Sequence, residues 1–523
     1  MTTDEAGCNI LMVVAIDIGT TYSGYAYSFK KEYEVDKLNI HSNQVWNSGS
    51  KSLLSLKTQT CILINKDTKE FDSFGFDAEN AYEDSILGNE ADKYYFFDRF
   101  KMVLHNSEII SKDMEITDGK GNTFPAIEVF ALAIQALMQS LMEQILKRDV
   151  PIKSNEIKWV LTVPAIWNDN AKEFMRISAI KAGIREDRLV IALEPEVASI
   201  YCQTLPPDKI TGAPDGFSVA DGTNYLLVDL GGGTVDITAH HKINMDYLEE
   251  LSRASGAACG GTMVDKEFLK FLECIVGKKV MKHLREEHTV DYMDLMRDFE
   301  TIKRKMNSAS DHGKKINIII PLSHLNSLCQ RFLEKDFETA IDDFLEEEER
   351  KKNEGTARQE SELSNNANGG KIPKRQILLV GHKMRVDPVI MKSFFKTAVE
   401  TIVLEISNVL QNLERTNLNT ILLVGGFSES PLVQKIIRQN FPDMHIISPE
   451  DPVLAVLKGA VLFGHKPDFI TSRFTRYNYG RRIRPLFDES KHDPKKRVTG
   501  EDGDRCRDVF EIFMEINKKS AIR

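Results

Sequence analysis

Two short segments rich in aspartate, glycine and threonine carry the most recognisable chemistry in this chain. They are AIDIGTTYSGYAYSF at 15–29 and LLVDLGGGTVDIT at 226–238. In each, an apolar strand runs into Asp and Gly, and the chain turns back into a second β-rich run. Glycine lets backbone N–H groups approach an anion closely, and a strand end can direct an aspartate toward a metal ion or water. Two such loops facing each other would clamp a polyphosphate, which predicts nucleotide binding.

Two further glycine-containing segments favour the same interpretation. LLVGGFSESPLVQKII at 422–437 is a strand that ends in Gly425 and Gly426 and turns into a helix after Ser428. GAACGGTMVDKEF at 256–268 places glycines ahead of another helix. Helix N-termini and adjacent glycines suit a ribose or a phosphate. Neither segment matches the P-loop pattern, and no G-x-G-x-x-G follows a strand, which disfavours phosphate loops of those two types.

The composition indicates several folded domains and no nucleic-acid partner. The chain has 523 residues, 42% of them hydrophobic, and its net charge of −10 gives no basic footprint at the level of the whole chain. Seven cysteines occur without a C-x-x-C pair, which is typical of reduced thiols. We expect no membrane span, and the apolar run at 10–16 lacks the basic leader of a secretory signal. The protein is therefore expected to be cytoplasmic, with nuclear access left open.

The elements that position these loops alternate between strand and helix, which predicts an α/β fold. The glycine-rich loop occurs twice at long range, which suggests two lobes with one copy each. Strands are expected at 158–163, 189–193, 225–230, 315–320 and 420–425, and helices at 130–147, 174–183, 292–306 and 393–413.

Composition shifts along the chain predict its division into domains. We expect lobe I at 9–217 and lobe II at 218–469. The polar segment at about 348–376 is nearly free of apolar residues, which predicts a disordered surface insertion in lobe II. A short β-rich, truncated substrate-domain-like tail is expected at 470–523. Its basic and aromatic stretch at 472–487 leaves single-stranded nucleic acid as the weaker alternative.

These motifs, in this order, resemble the actin-like ATPase superfamily and, within it, the 70-kDa heat-shock protein family. The similarity is greatest to the divergent heat shock 70 kDa protein 12A/12B-like branch and covers about residues 10–480. It implies an actin-like fold in which two lobes, each built on a duplicated β-sheet and helix core, enclose ATP or ADP with Mg²⁺. The segments that carry the resemblance are AIDIGTTYSGYAYSF (15–29), YYFFDRFKMVLH (94–105), LTVPAIWND (161–169), ALEPE (192–196), LVGGFSES (423–430) and SRFTRYNYG (472–480).

The resemblance implies roles for individual residues. Asp17 and Asp229 would hold the metal ion, mainly through water. The residues with an implied catalytic role are Lys101, Asp17, Asp229, Asp236 and Glu194. The residues with an implied role in nucleotide binding are Gly19, Thr20, Thr21, Tyr22, Gly231, Gly232, Gly233, Thr234, Gly260, Gly261, Glu300, Lys303, Arg304, Gly425, Gly426 and Ser428.

Two of these assignments leave alternatives open. Phosphoryl transfer depends on positioning and charge neutralisation, which suits Lys101 at the γ-phosphate. An alignment without an insertion would instead place Phe100 there, and Lys101 would then be a surface lysine beside Arg99. Glu300, together with the two basic residues that follow it in the motif, resembles the helix that grips ribose and adenine. The same i, i+3, i+4 spacing is also that of ordinary surface ion pairs.

The adenine loop departs from the family pattern. Phe427 stands where a serine is usual, and Glu429 stands where an arginine stacks on the base. Replacing a stacking cation with an anion removes a favourable contact with the ring face. Nucleotide affinity or base preference is therefore expected to differ from that of ordinary chaperones.

Three functions remain open from the sequence. The first is a slow, Mg²⁺-dependent, chaperone-like ATPase whose lobes open and close. The second is a nucleotide-binding regulatory or scaffold protein with little or no hydrolysis. The third and weakest is a sugar kinase of the same superfamily, against which LGGGTVD and ALEPE argue. Client or signalling proteins are the expected macromolecular partners, and the chain is expected to be a monomer without nucleic acid or a membrane span.

Overall fold

The computed structural model describes residues 10–42, 46–47, 54–107, 110–148, 150–212, 221–244, 247–306, 314–357, 376–413, 416–500 and 502–521. Its helices are α1 (Lys30–Val35), α2 (Phe76–Leu87), α3 (Val103–Asn106), α4 (Ala126–Lys147), α5 (Asp169–Lys181), α6 (Glu194–Thr204), α7 (Thr262–Glu287), α8 (Thr289–Lys305), α9 (Leu322–Leu333), α10 (Phe337–Ala357), α11 (Pro388–Asn412), α12 (Pro431–Asn440) and α13 (Ala455–His465).

The strands alternate with these helices along most of the chain. They are β1 (Met12–Asp17), β2 (Tyr22–Phe29), β3 (His41–Ser42), β4 (Trp46–Asn47), β5 (Leu54–Ser55), β6 (Thr58–Gln59), β7 (Cys61–Asn65), β8 (Phe71–Phe74), β9 (Tyr94–Asp98), β10 (Glu115–Thr117), β11 (Thr123–Pro125), β12 (Ile157–Val163), β13 (Leu189–Leu193), β14 (Ile210–Thr211), β15 (Asn224–Leu230), β16 (Val235–Asn244), β17 (Tyr247–Ala257), β18 (Ile316–Ile319), β19 (Ile377–Val380), β20 (Lys383–Val386), β21 (Leu418–Val424), β22 (His445–Pro449), β23 (Ile470–Phe474), β24 (Tyr479–Ile483), β25 (Arg497–Gly500), β26 (Gly503–Cys506), β27 (Val509–Met514) and β28 (Lys519–Ala521).

Two large sheets repeat one arrangement of strands. The first has the order β13-β12-β1-β2-β3, with β6 also paired to β2. The second has the order β14-β22-β21-β15-β16-β17-β23-β28. In the first sheet β1 runs antiparallel to β2 and parallel to β12, and in the second β15 runs antiparallel to β16 and parallel to β21. The predicted α/β fold with a duplicated sheet and helix core is confirmed.

The central strands are apolar because helices cover both of their faces. Every residue of β1 is buried, and so are the last six of the seven residues of β15. Helices α6 and α13 lie between the two sheets in one shared core, in which Val13 and Ala15 of the first sheet join Tyr225 and Leu227 of the second. Helix α13 belongs to predicted lobe II but packs on β1 and β12. The division of the chain into lobes stays a prediction.

The predicted insertion is ordered in its first part. Helix α10 runs through Ala357, so residues 348–357 are helical rather than disordered. A run of glutamates, lysines and one arginine has high helix propensity even without an apolar face, which the composition argument overlooked. The remainder at 358–375 lies outside the described residues.

The tail is β-rich and begins as part of the second sheet. β23 pairs with β17 and with β28, while β24 pairs with β27 and β25 with β26. The guanidinium of Arg473, on β23, makes two bonds of 2.5 Å to the buried carboxylate of Glu196, on α6. The start of the tail is therefore tied to the helix that follows the first sheet.

Among the described residues, one helix is long and apolar enough to be a candidate membrane span, which the sequence analysis did not expect. Helix α4 is long and apolar enough by length and composition alone, and half of its most apolar window is buried. Its Val129, Phe130 and Ile134 have no exposed surface and pack in the core of the first sheet. Core helices of globular proteins pass the same test, so this helix is weak evidence for a membrane.

Candidate functional site

A pocket of about 250 Å³ opens where the turns of the two sheets meet. It collects nearly all of the residues that the sequence nominated. Those that line it are Asp17, Gly19, Thr20, Thr21, Tyr22, Lys101, Glu194, Asp229, Gly231, Gly232, Gly233, Thr234, Gly261, Glu300, Lys303, Arg304, Gly425 and Gly426. Asp236, Gly260 and Ser428 do not line it, because each of them bonds to the protein's own backbone instead.

The two Asp-Gly loops approach each other too closely to admit side chains on the second loop. A Cβ atom built on Gly232 would lie 2.2 Å from the Thr21 hydroxyl, and one built on Gly233 would lie 2.5 Å from the Thr20 hydroxyl. Real Cβ atoms do not approach other atoms so closely, so glycine is required at both positions. The loops thus form facing walls at one end of the pocket, which we call the phosphate end and define by residues 17–22 and 229–234.

Asp17 is held at the bottom of the phosphate end by two donors. Its Oδ2 accepts a bond of 2.7 Å from the Lys57 ammonium, and its Oδ1 accepts one of 2.9 Å from the Thr162 hydroxyl. Burial alone would raise the pKa of Asp17, but the charges of Lys57 and Lys101 outweigh that effect and hold the pKa below its usual value. Asp17 is therefore an anion with both oxygens engaged.

Lys101 is buried in the pocket rather than on the surface. It has 5% of its surface exposed, and its ammonium lies 2.8 Å from Oε1 of Glu194 and 5.3 Å from the centre of the Trp167 ring. Phe100, the competing residue, packs edge-on against Phe130 in the core. Burial raises the pKa of Glu194 to about 7 although Lys101 opposes that rise. Of the two alignments, the structure places the lysine in the pocket.

Asp229 and Asp236 face each other across the hairpin of β15 and β16, but only Asp229 reaches the pocket. Asp236 accepts a bond of 3.1 Å from the backbone N–H of Ile166 and so anchors the segment after β12. A Cβ on Gly425 would lie 2.3 Å from Asp229 Oδ1, so glycine at 425 leaves room for this carboxylate. Burial, then the negative charge of Glu194, raises the pKa of Asp229.

Gly260 supports the second loop instead of lining the pocket. The N–H groups of Gly260, Gly261 and Thr262 donate to the carbonyls of Gly233, Gly231 and Gly232 at 3.2, 3.1 and 2.8 Å. The first turn of α7 thus directs its free amides to the loop carbonyls. An amide already bonded within the protein is not available to a phosphate, which is why the sequence pattern of glycines before a helix was misleading at this position.

The opposite end of the pocket, which we call the base end, is lined by α8 and by residues 425–430. Glu300 pairs with Lys303 at 2.5 Å and with Arg304 at 2.8 Å, and Lys303 also pairs with Asp265 at 2.6 Å. Burial would raise the pKa of Glu300, but the two cations hold it well below its usual value. The Arg304 guanidinium lies 4.6 Å from the centre of the Tyr22 ring. These residues therefore both line the pocket and form ion pairs, and their contact with ribose and adenine stays a prediction.

The loop after β21 builds the other wall of the base end. Phe427 lines the pocket with a small part of its surface and otherwise packs in the core, where it stacks on Phe395 close to Gly261. Ser428 is fully buried, and its hydroxyl donates to the Gly425 carbonyl at 2.7 Å, so it closes the turn and does not face the pocket. Glu429 lines the pocket with much of its surface exposed, and burial of its carboxyl raises its pKa.

Comparison with known proteins agrees with this arrangement. The family model described as Hsp70 protein matches residues 13–397. Heat shock 70 kDa protein 12A from Homo sapiens is 32% identical over 564 aligned residues, which cover 98% of this chain and 78% of that protein.

The chain belongs to the Hsp70 family.

Two other relatives show how far the similarity extends. Heat shock 70 kDa protein 12B from Homo sapiens is 30% identical over 98% of this chain and 77% of its own length. Chaperone protein dnaK1 from Prochlorococcus marinus is 23% identical over 61% of this chain and 39% of its own length. The resemblance to the 12A/12B-like branch is confirmed, and the Hsp70 family carries with it the actin-like fold described above.

The Hsp70 family binds nucleotide with Mg²⁺, and the residues present fit such an ion. Four carboxylates, Asp17, Glu194, Asp229 and Asp236, are buried around two ammonium groups. This leaves two negative charges in excess when all six groups are ionised, and burial together with the neighbouring carboxylates raises the pKa of Asp229. Within the described residues no three of these carboxylates converge within 4.8 Å, a spacing that suits an ion held mainly through water.

Sequence reasoning missed part of the lining of this Hsp70-family pocket. Ser55, Leu56 and Lys57 come from the connection between β5 and β6, and Val453 and Val456 come from the turn into α13. No local motif marks these residues, since they reach the pocket only through the pairing of β6 with β2 and the packing of α13. A lysine just before a short Thr-rich strand was the one available signal, and it is a weak one.

Proposed function

We propose that this Hsp70-family chain binds ATP with Mg²⁺ between its two sheets and hydrolyses it slowly. One observation carries the proposal. Two Asp-Gly loops from different sheets meet without room for side chains on the second loop, and they line one pocket together with a buried lysine and glutamate pair. Backbone amides at glycines can approach phosphate oxygens that any Cβ would block.

The side chains of the phosphate end fit the demands of phosphoryl transfer, in which positioning and charge neutralisation supply most of the catalysis. Asp17 and Asp229 would hold the metal ion through water, and that ion would neutralise charge on the phosphates. Lys101 would balance the charge of the γ-phosphate or hold the attacking water. Glu194 would keep the lysine ammonium in place through its bond of 2.8 Å.

Ion pairs near the pocket suggest how the lobes would open and close. Arg99, which directly precedes the short helical turn that carries Lys101, pairs with Asp265 on α7 at 3.0 Å. Arg297 on α8 pairs with Glu79 on α2 at 3.0 Å and also with Glu83. Each pair joins an element of predicted lobe I to one of predicted lobe II. Chaperone-like opening would break these contacts and closure would remake them.

The base end supports a second candidate function. Glu429 lines the pocket where the family pattern has an arginine, and Phe427, which also lines it, packs mainly in the core. A negative charge beside the base weakens stacking with it. This arrangement favours a nucleotide-binding regulatory or scaffold protein with little turnover. We also propose that either form acts as a monomer in the cytoplasm on client or signalling proteins.

A single-turnover experiment separates the two candidates. Purified chain in excess over γ-labelled ATP is mixed with Mg²⁺, and bound nucleotide and released phosphate are followed in time. Asp229→Ala serves as the inactive reference, and Asp443→Ala, at an exposed position, is the matched control for loss of a carboxylate. Release faster than in Asp229→Ala supports the ATPase. Binding without such release supports the regulatory protein, and absence of ATP binding refutes both.

A further inference from the structure

Lys57 is a buried cation at the phosphate end that no motif indicated. Its ammonium lies 2.7 Å from Oδ2 of Asp17, and the two side chains have only 8% and 7% of their surfaces exposed. The lysine lines the pocket between the two Asp-Gly loops and the base end. An ammonium group has three donors, and this carboxylate oxygen takes one of them. The other two N–H donors belong to the same ammonium group, in a side chain that lines the pocket.

A glycine in β2 makes this position possible. β6 pairs with β2 so that Thr58 lies opposite Ser23, which brings the preceding Lys57 alongside Gly24. Gly24 in turn pairs with Asp17 across the hairpin of β1 and β2. A Cβ on Gly24 would lie 3.1 Å from Lys57 Cγ, so the lysine stem crosses the strand where there is no side chain. The fold therefore aims this lysine at the aspartate of the first loop.

The charges around the phosphate end indicate a role for Lys57. Glu194 is matched by Lys101 and Asp17 by Lys57, whereas Asp229 has no cation within hydrogen-bonding distance among the described residues. A triphosphate that enters this pocket adds its negative charge to that of several buried carboxylates. Positive charge is needed to offset it. A lysine ammonium acts as a compact point charge toward phosphate.

We propose that Lys57 is a second phosphate-binding cation of the pocket, which takes over part of the charge neutralisation that magnesium would otherwise supply. The proposal rests on nucleotide binding at this site. When nucleotide binds, the ammonium donates to a phosphate oxygen with the donors that Asp17 leaves unused. Nucleotide binding then persists in the absence of magnesium and depends on Lys57 most strongly under that condition.

The test measures ATP affinity by calorimetry with Mg²⁺ and again with EDTA. We expect Lys57→Met to weaken ATP binding about 30-fold or more in EDTA and by no more than about threefold in saturating Mg²⁺, because a desolvated charge-assisted contact is lost only where it has no substitute. Lys57→Arg keeps the charge and stays within about threefold of the wild type under both conditions. Lys37→Met, at an exposed lysine, is the control for net charge and leaves both affinities unchanged.

A second variant, Gly24→Ala, leaves the charge of Lys57 in place and keeps the test decisive if Lys57→Met misfolds. Gly24→Ala displaces the lysine stem and is expected to give the same EDTA-selective loss in weaker form, about tenfold. An equal loss with and without Mg²⁺ in both Lys57→Met and Gly24→Ala, or no loss in either, overturns the proposal. If the wild type binds no ATP even with Mg²⁺, the proposed function itself is wrong.

Discussion

The phosphate end and the base end of one pocket are built in different ways. At the phosphate end, the backbone of the second loop lies so close to the Thr20 and Thr21 side chains that Gly232 and Gly233 leave no space for a Cβ. At the base end, side chains on α8 and in the loop after β21 make the walls, and Gly426 has only ordinary contact with Val453 at 3.6 Å. A loop without space for a Cβ tolerates few substitutions, whereas walls made of side chains can change their specificity.

The two ends also differ in how their carboxylates are compensated. Burial, together with the neighbouring acids, raises the pKa of Asp229 at the phosphate end. Glu300 at the base end lies between Lys303 and Arg304, and its pKa is lowered. The first arrangement leaves negative charge uncompensated, while the second is already neutralised within the protein. This difference predicts opposite responses to matched substitutions, the largest in the rate of turnover and the smallest in base preference.

The largest expected effect is on the rate of ATP turnover, and it should be separate from the effect on ATP affinity. Lys101→Met should lower the single-turnover rate of ATP hydrolysis by about 10²–10³ and change the ATP dissociation constant only a few-fold, since removal of one charge-stabilising group acts on the transition state. Arg304→Met should weaken binding about tenfold and leave the single-turnover rate at saturation unchanged. Equal effects of both variants on both quantities would show that the two ends do not divide the work. Circular dichroism and melting curves check that each variant is folded.

Alanine substitution of one glycine at each end compares the two ends directly. Gly232→Ala places a methyl group 2.2 Å from the Thr21 hydroxyl, so the loops must separate, and we expect ATP affinity to fall about tenfold or more. Gly426→Ala meets Val453 at ordinary contact distance and should change affinity by about twofold at most. The affinities are measured by calorimetry with Mg²⁺. A large loss in Gly426→Ala would mean that the base end also relies on close backbone approach.

Stability should respond to pH with opposite signs at the two ends. The pKa of Glu194 is about 7 in the fold against an ordinary 4.5, so the metal-free folded state holds more protons than the unfolded chain in that window. The raised pKa of Asp229 acts in the same direction. The stability that these groups contribute is therefore lost as pH rises toward 7. Asp229→Asn should raise the free energy of unfolding at pH 8 in EDTA by about 1–2 kcal/mol, since it removes buried repulsion.

The matched change at the base end should be destabilising. The lowered pKa of Glu300 means that its contribution is present above its ordinary pKa and is lost as pH falls through the lowered value. Glu300→Gln should lower the free energy of unfolding at pH 8 by about 1–3 kcal/mol, because Lys303 is left partly unpaired. Urea denaturation at pH 5 and pH 8 measures both variants. Shifts of the same sign at pH 8 would contradict the difference between the two ends.

The smallest expected effect concerns the base. Glu429→Arg restores the charge that the family pattern has beside adenine and should strengthen ATP binding about two- to fivefold. Glu338→Arg changes the net charge equally at an exposed position and is the control. Competition between ATP and GTP in both variants reports base preference. Unchanged affinity in Glu429→Arg would indicate that this side chain does not contact the base.

The difference between the two ends also explains what the sequence allowed us to predict. The phosphate loops could be recognised because a strand, an aspartate and consecutive glycines form a local pattern, and those residues do line the pocket. The helix register of Glu300 was equally readable from a segment of α8. Local periodicity likewise predicted the strands at 158–163 and 189–193, which correspond to β12 and β13.

What could not be predicted depends on contacts distant in sequence. Lys57 reaches Asp17 only because β6 pairs with β2, and no pattern around the lysine announces that pairing. Ser428 and Gly260 carry the right residue types but use their polar groups on the protein's own backbone. A motif shows which groups are present, and only the fold shows which of them are already satisfied.

The contact between Gly24 and the Lys57 stem has a consequence for how relatives of this chain diverge. A lysine at position 57 packs best beside a residue without a side chain on β2, since a methyl group at Gly24 would lie 3.1 Å from the stem and push it aside. The residues at positions 24 and 57 should therefore covary among relatives of this chain. Lineages that place a bulkier residue at the position of Gly24 should have abandoned the lysine, and lineages that keep the lysine should keep the glycine.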